Sequence, residues 1–327
     1  MKAISFEQLD AFLHSLASEY DVYAPVTLHD GTLSLGKLGT GPLALLAGSI
    51  PAKITSIFFP HFDRVLTILE DHNISVPGEM TTPVLVVGLT AEDLDCLEFV
   101  DKMYLTGFRD DLYHKRREHS VVVGISGRCG KDGEFLRIAG GKCDIELIYD
   151  GSRFIAAPYS EQGNTLFQRI VSGEEIASID SLLRESNAIH SPDKEIIQKA
   201  SEILIQERVT DEFWAEIAER CIECTGCNNV CPTCTCFEVY DIQHKERVER
   251  YRMWDSCQFS GFMREASGHN PMGAQASRTR RRIHHKLVAD VHRWGHITCF
   301  FCGRCDAVCP TGIGIKAVGE EIVERFG

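Results

Sequence analysis

The chain has 327 residues, 44% of them hydrophobic, with a formal charge of −13 and 14 cysteines. That length and apolar content suffice for two packed domains and exclude a disordered chain. The acidic balance argues against general nucleic-acid affinity, and no run of about 18 uninterrupted apolar residues offers a membrane span. The mixed acidic amphipathic N-terminus has no long apolar run, so a reducing, cytoplasmic setting is expected rather than a secreted disulfide scaffold.

In chain order, Met1 to Tyr20 is predicted as a first helix. Apolar, β-rich runs at Pro42 to Gly48, Pro83 to Gly88, Val121 to Ser126 and Cys143 to Asp150, each bounded by Gly, Pro, Asp or Lys, predict strands. Between them, His61 to His72 and Ala91 to Met103 read as helices, the second capped by Thr90. The glycines around Gly39 and Gly41 lack the strand-GxGxxG-helix order and read as a plain loop, not a nucleotide site. Residues 1–190 therefore form an α/β or α+β domain with part of its sheet parallel. Pro192 at a first-turn position opens a helical connection over 191–220. Residues 221–327 form a mostly helical, ferredoxin-like domain with a long basic insert at 237–298.

Two runs in that last region, CIECTGCNNVCP from Cys221 and CFFCGRCDAVCP from Cys299, share the spacing C-x2-C-x2-C-x3-C followed by proline. A [4Fe-4S] cube needs four thiolates from tetrahedral corners. Two-residue gaps let three cysteines of one loop reach three irons, and the fourth, fixed by its proline, points at the other cube. One cluster is thus assigned to Cys221, Cys224, Cys227 and Cys309, and the other to Cys299, Cys302, Cys305 and Cys231. Structural zinc needs only four ligands, in paired knuckles, and fits two such runs badly.

The insert carries eleven Lys or Arg against seven acids, a balance of +4 in an acidic protein. It is either a solvated helix face or a cationic surround for the clusters that meets an acidic partner; nucleic-acid binding by SRTRRR is the poorer reading because no aromatics interleave it. Cys234, Cys236 and Cys257 lie in or beside the insert. Packing beside a cube suits them better than a third metal site, which would need a further ligand such as His244 or His269. Cys96, Cys129 and Cys143 read as buried thiols, and His284 and His285 as part of a polar helix face.

From Arg220 to Ile315, the elements CPTCTCFEVYD, WDSC, ASGHNP, R-x-R-x-R-x-x-HK and CGRC resemble the dicluster domain shared by the electron-transfer subunit of anaerobic sulfite reductase and the beta subunit of cytosolic nickel-iron sulfhydrogenases. The first half resembles the same family more loosely through VVGLTAEDLDCLEFVDKMYL, DDLYHKRRE and VVVGISGRC. The resemblance implies an electron-transfer subunit of anaerobic metabolism, standing between a flavin subunit that exchanges hydride with NAD(P)H and a catalytic reductase or hydrogenase subunit. FAD is then expected on the partner. Independently, clusters fully ligated by cysteine leave no iron open for substrate, so no catalytic residue is assigned. The rivals are a self-contained flavin-dependent oxidoreductase and an assembly protein with structural clusters. Many relatives also carry cysteines in the segments matching LTAEDLDCL and DGEFLRIAGG, where this chain has Glu92, Glu134 and Leu136. The resemblance therefore implies that an additional N-terminal cluster is missing here.

Overall fold

The computed structural model describes residues 1–77, 82–171 and 173–327. The chain divides into two units, one taking Met1–Ile54 and the chain from strand Val84–Leu89 to His190, the other taking the segment that begins at Thr55 together with Ser191–Gly327.

Among its described residues, the first unit is a mixed eight-stranded sheet ordered Glu174–Glu175, Lys2–Ile4, Phe154–Pro158, Ile145–Tyr149, Ser120–Gly127, Val84–Leu89, Asp21–Thr27 and Leu33–Lys37. The four strands Asp21–Thr27, Val84–Leu89, Ser120–Gly127 and Ile145–Tyr149 pair in parallel. Every residue of Val84–Leu89 and Ser120–Gly127 is buried, as in strands covered on both faces. Helix Ala91–Leu105 crosses between these two strands. It starts at Thr90 because Thr90 and Asp93 each accept the other's backbone N–H, satisfying two otherwise orphaned donors. Phe154, Leu85, Val123 and Leu147 centre the core.

Three local expectations are corrected here. The N-terminal segment is a short strand, Lys2–Ile4, followed by helix Phe6–Leu16 with a Ser5–Gln8 capping box. Pro42 to Gly48 is irregular: it runs beside Asp21–Thr27 through Thr27 N–H to Pro42 O and Ala44 N–H to Pro25 O, then turns at Ala47. Its apolar content serves to bury Leu45, not to build a ladder. His61 to His72 is not a helix. Phe62–Leu69 is a strand, paired antiparallel with Arg247–Trp254. Apolar residues at helical spacing misled, whereas the β-branched Val65, Thr67 and Ile68 suit the pleated surface they occupy.

That strand belongs to the second unit, so residues 1–190 are not one continuous body. Beside its helices, the second unit contains a four-stranded antiparallel sheet among its described residues, ordered Phe237–Gln243, Arg247–Trp254, Phe62–Leu69 and Ile74–Ser75. Residues 191–220 are likewise no spacer. Helices Pro192–Ile205 and Asp211–Arg220 put Ile197, Ala200, Phe213, Trp214 and Ile217 into one core with Ile283, Leu287, Val318 and Ile322.

Candidate metal centre

Cys221 ends helix Asp211–Arg220 in an extended conformation, and the chain then turns tightly into the short helix Gly226–Asn229. Glu223 and Thr225 take left-handed φ of 54° and 59°; in the other run, Phe301 and Gly303 take 61° and 70°. These are the second and fourth residues after Cys221 and after Cys299, so the two loops share one conformation. Three of the four are not glycine, and left-handed geometry in such residues is a cost retained where a site needs it.

The repeat extends past the prolines. Each fourth cysteine opens a Cys-Pro-Thr, and each threonine returns to its own thiol: Thr233 Oγ1 is 3.4 Å from Cys231 Sγ, and Thr311 Oγ1 is 3.5 Å from Cys309 Sγ. The Ile313 N–H also donates to Cys309 Sγ at 3.4 Å. Although burial opposes it, these bonds hold the Cys309 thiol below its usual range. A hydrogen bond from Cys234 holds Cys231 well below its usual value against its burial, with Lys286 and Thr233 adding to the effect. Burial pushes Cys299 up to about 12 and raises Cys305 and Cys227. A neutral thiol is costly to ionise there unless metal or a cation compensates.

A small pocket, partly open to solvent, is lined by Cys221, Cys224, Cys227 and Cys309, with Glu223, Thr225, Gln258, Arg282 and Thr311 around them. It joins three thiols of the first run to the fourth of the second. Cys299 and Cys305 each lie within electrostatic reach of Cys231, and Cys299 within reach of Cys302. Among the described residues, no three His, Cys, Asp or Glu converge on a point fit for a single ion. Gathered thiols are soft donors of the kind that hold iron–sulfur cubes, and the residues fit that group.

The insert divides into faces that composition could not separate. Helix Gln275–His284 continues through a π-helical turn, His285–Ala289. Arg278, Arg282 and Lys286, four residues apart, are all buried. Arg278 bonds the Gln258, Met272 and Gly273 carbonyls and pairs with Glu223 in the first cysteine loop. Arg282 donates to Ile313 O at 2.5 Å, and Lys286 Nζ to Thr233 Oγ1 at 2.6 Å. Burial works to lower the pKa of Arg282 and Lys286, yet the surrounding cysteines raise both above their usual values. Arg280, Arg281, His284, His285 and Arg293 instead line an open groove. A period of four in R-x-x-x-R-x-x-x-K was the available signal for the inward row, and the repeated Cys-Pro-Thr for the threonines.

Cys234 and Cys257 bond Asn228, and Cys236 lies beside Cys257. Asn228 Nδ2 donates to Ser256 Oγ at 2.8 Å and Cys257 Sγ at 3.2 Å, and its Oδ1 accepts from Cys234 at 3.9 Å. Cys236 and Cys257 hydrogen-bond each other. His244 is engaged by Glu249 at 3.0 Å, and His269 lies in an exposed turn with Glu265. In the first unit, Glu92 and Asp95 pair with Arg137, at 3.4 and 2.6 Å, and Asp95 also takes Lys142 at 2.5 Å. An ion-pair network thus adjoins Leu136. Among the described residues, no helix is long and apolar enough to cross a membrane.

Residues 220–313 match the 4Fe-4S dicluster domain. Sulfhydrogenase 2 subunit beta of Pyrococcus furiosus is 26% identical in an alignment covering 97% of each chain. No solved structure matches. The dicluster match takes in both cysteine runs, and along almost its whole length the chain is similar to an oxidoreductase subunit, the sulfhydrogenase beta subunit.

Proposed function

We propose that this protein carries electrons one at a time through two [4Fe-4S] clusters, one held by Cys221, Cys224, Cys227 and Cys309, the other by Cys299, Cys302, Cys305 and Cys231. It would serve a cytoplasmic complex, between a subunit that holds FAD and exchanges hydride with NAD(P)H and a terminal reductase or hydrogenase subunit. The first unit is the scaffold that docks a partner. The observation that carries this reading is the single pocket gathering Cys221, Cys224 and Cys227 with Cys309. Four thiolates per cube saturate the irons, which suits electron transfer and leaves no coordination site for substrate. The end-to-end similarity to a sulfhydrogenase beta subunit supports the multi-subunit setting.

Anaerobic purification of the single chain tests it. The expected product has about eight irons and eight sulfides, is reduced by dithionite, and contains no flavin. Bound flavin would favour a self-contained oxidoreductase. Clusters that dithionite cannot reduce would favour a structural role.

A further inference from the structure

We propose that Arg282 and Lys286 tune the reduction potentials of the two clusters, Lys286 acting on the one held through Cys231 and Arg282 on both. This rests on the cluster assignment above. Lys286 is 8% exposed, and its Nζ reaches the Cys231 thiol through one hydroxyl: 2.6 Å to Thr233 Oγ1, then 3.4 Å to Sγ. Arg282, 7% exposed, lines the pocket of Cys221, Cys224, Cys227 and Cys309 while its Nη2 is tied to Ile313 O. The neighbouring groups that act on Arg282 are Cys227 and Cys221 of one set, Cys305 of the other, and Cys234, which belongs to neither. It therefore stands beside both sets.

The two cations lie on consecutive turns, and the step between them enters the π-helical turn His285–Ala289. Such turns are rare and recur at functional sites because the extra residue re-aims the side chains that follow. Each one-electron reduction adds a negative charge to a cluster that already repels electrons. In a dry interior, a fixed cation favours the reduced state more than it would in water. Lys286 and Arg282 supply that charge from within, where solvent ions do not screen it. Removing either cation makes its clusters harder to reduce. Arg281, one residue away on the exposed groove, is the internal comparison.

The test is an anaerobic redox titration followed by electron paramagnetic resonance on the full chain. Lys286→Met is expected to move one of two reduction waves to lower potential. At the poise where that cluster is half reduced in the parent, its reduced-to-oxidised ratio should fall about tenfold, 59 mV for one electron. Arg282→Met is expected to move both waves, Lys286→Arg to restore the parent value, and Arg281→Met to change nothing. Parent potentials in both methionine variants, at an undiminished iron content of about eight, would overturn the proposal and leave the cluster assignment intact. A parent chain with no iron and no reduction waves would instead sink the assignment itself. If Lys286→Met loses iron, Thr233→Val decides: the same wave displaced supports the proposal, and unchanged potentials overturn it.

Discussion

Arg252 donates to Asp63 across 2.8 Å, from one strand of the second unit's sheet to a strand far earlier in the chain, with both side chains about 95% buried. The guanidinium also lies over the Phe59 and Phe237 rings, at 4.8 and 5.5 Å. Asp63→Ala would leave Arg252 charged and buried. A loss of about 3 to 5 kcal/mol is expected, the usual cost of breaking a buried pair from one side. The urea unfolding midpoint, followed by circular dichroism, measures it; a change under 1 kcal/mol would refute the pairing.

The crossing of the two cysteine runs is tested by Cys309→Ser, which should impair the cluster of Cys221, Cys224 and Cys227 and spare the other. Cys231→Ser should do the reverse. Iron content and spectroscopy on each variant decide. Damage confined to the run that carries the mutation would show that each run holds its own cluster.

The faces of the basic helix predict different defects. Arg280→Glu with Arg281→Glu changes the exposed groove and should weaken association with an acidic partner, with a smaller salt dependence than the parent shows. Arg282→Glu places a carboxylate beside buried thiols and should cost iron. Binding measured across a salt series, alongside iron analysis, separates the two. Equal effects from both faces would contradict the division.

The ion pairs beside Leu136 predict that Asp95→Ala lowers stability by about 1 kcal/mol, as expected of half-exposed pairs, and leaves iron at about eight per chain. Iron falling toward four in this variant would mean that the first unit helps to hold a cluster.

Burial pushes the Cys129 and Cys143 thiols up to about 12. Their folded values lie above the unfolded one, so their contribution is fully present below about pH 8.5 and is lost as pH climbs toward 12. Stability should decline over that window, and less steeply in Cys129→Ala with Cys143→Ala once each is compared with its own value at pH 8. Denaturation midpoints from pH 8 to 11 provide the check. A parallel decline in parent and variant would assign the pH dependence elsewhere.

How much of this was legible in the chain depends on the range of the interaction concerned. The cysteine spacing, the Thr90 cap and the buried runs of Val84–Leu89 and Ser120–Gly127 are local patterns, and each could be read from a dozen residues. Phe62–Leu69 could not. Its apolar spacing suits a helix, and it becomes a strand because Arg247–Trp254, nearly two hundred residues later, supplies its hydrogen bonds and a partner for Asp63. The same limit applies to the arginines. Sequence counts eleven cations in the insert, but which are buried beside thiols and which face water follows from how helix Gln275–His284 packs. Chemistry carried by spacing along the chain was therefore determined by the sequence alone. Chemistry carried by the face of an element was decided by tertiary packing, because burial turns an ordinary surface charge into one that acts on its neighbours.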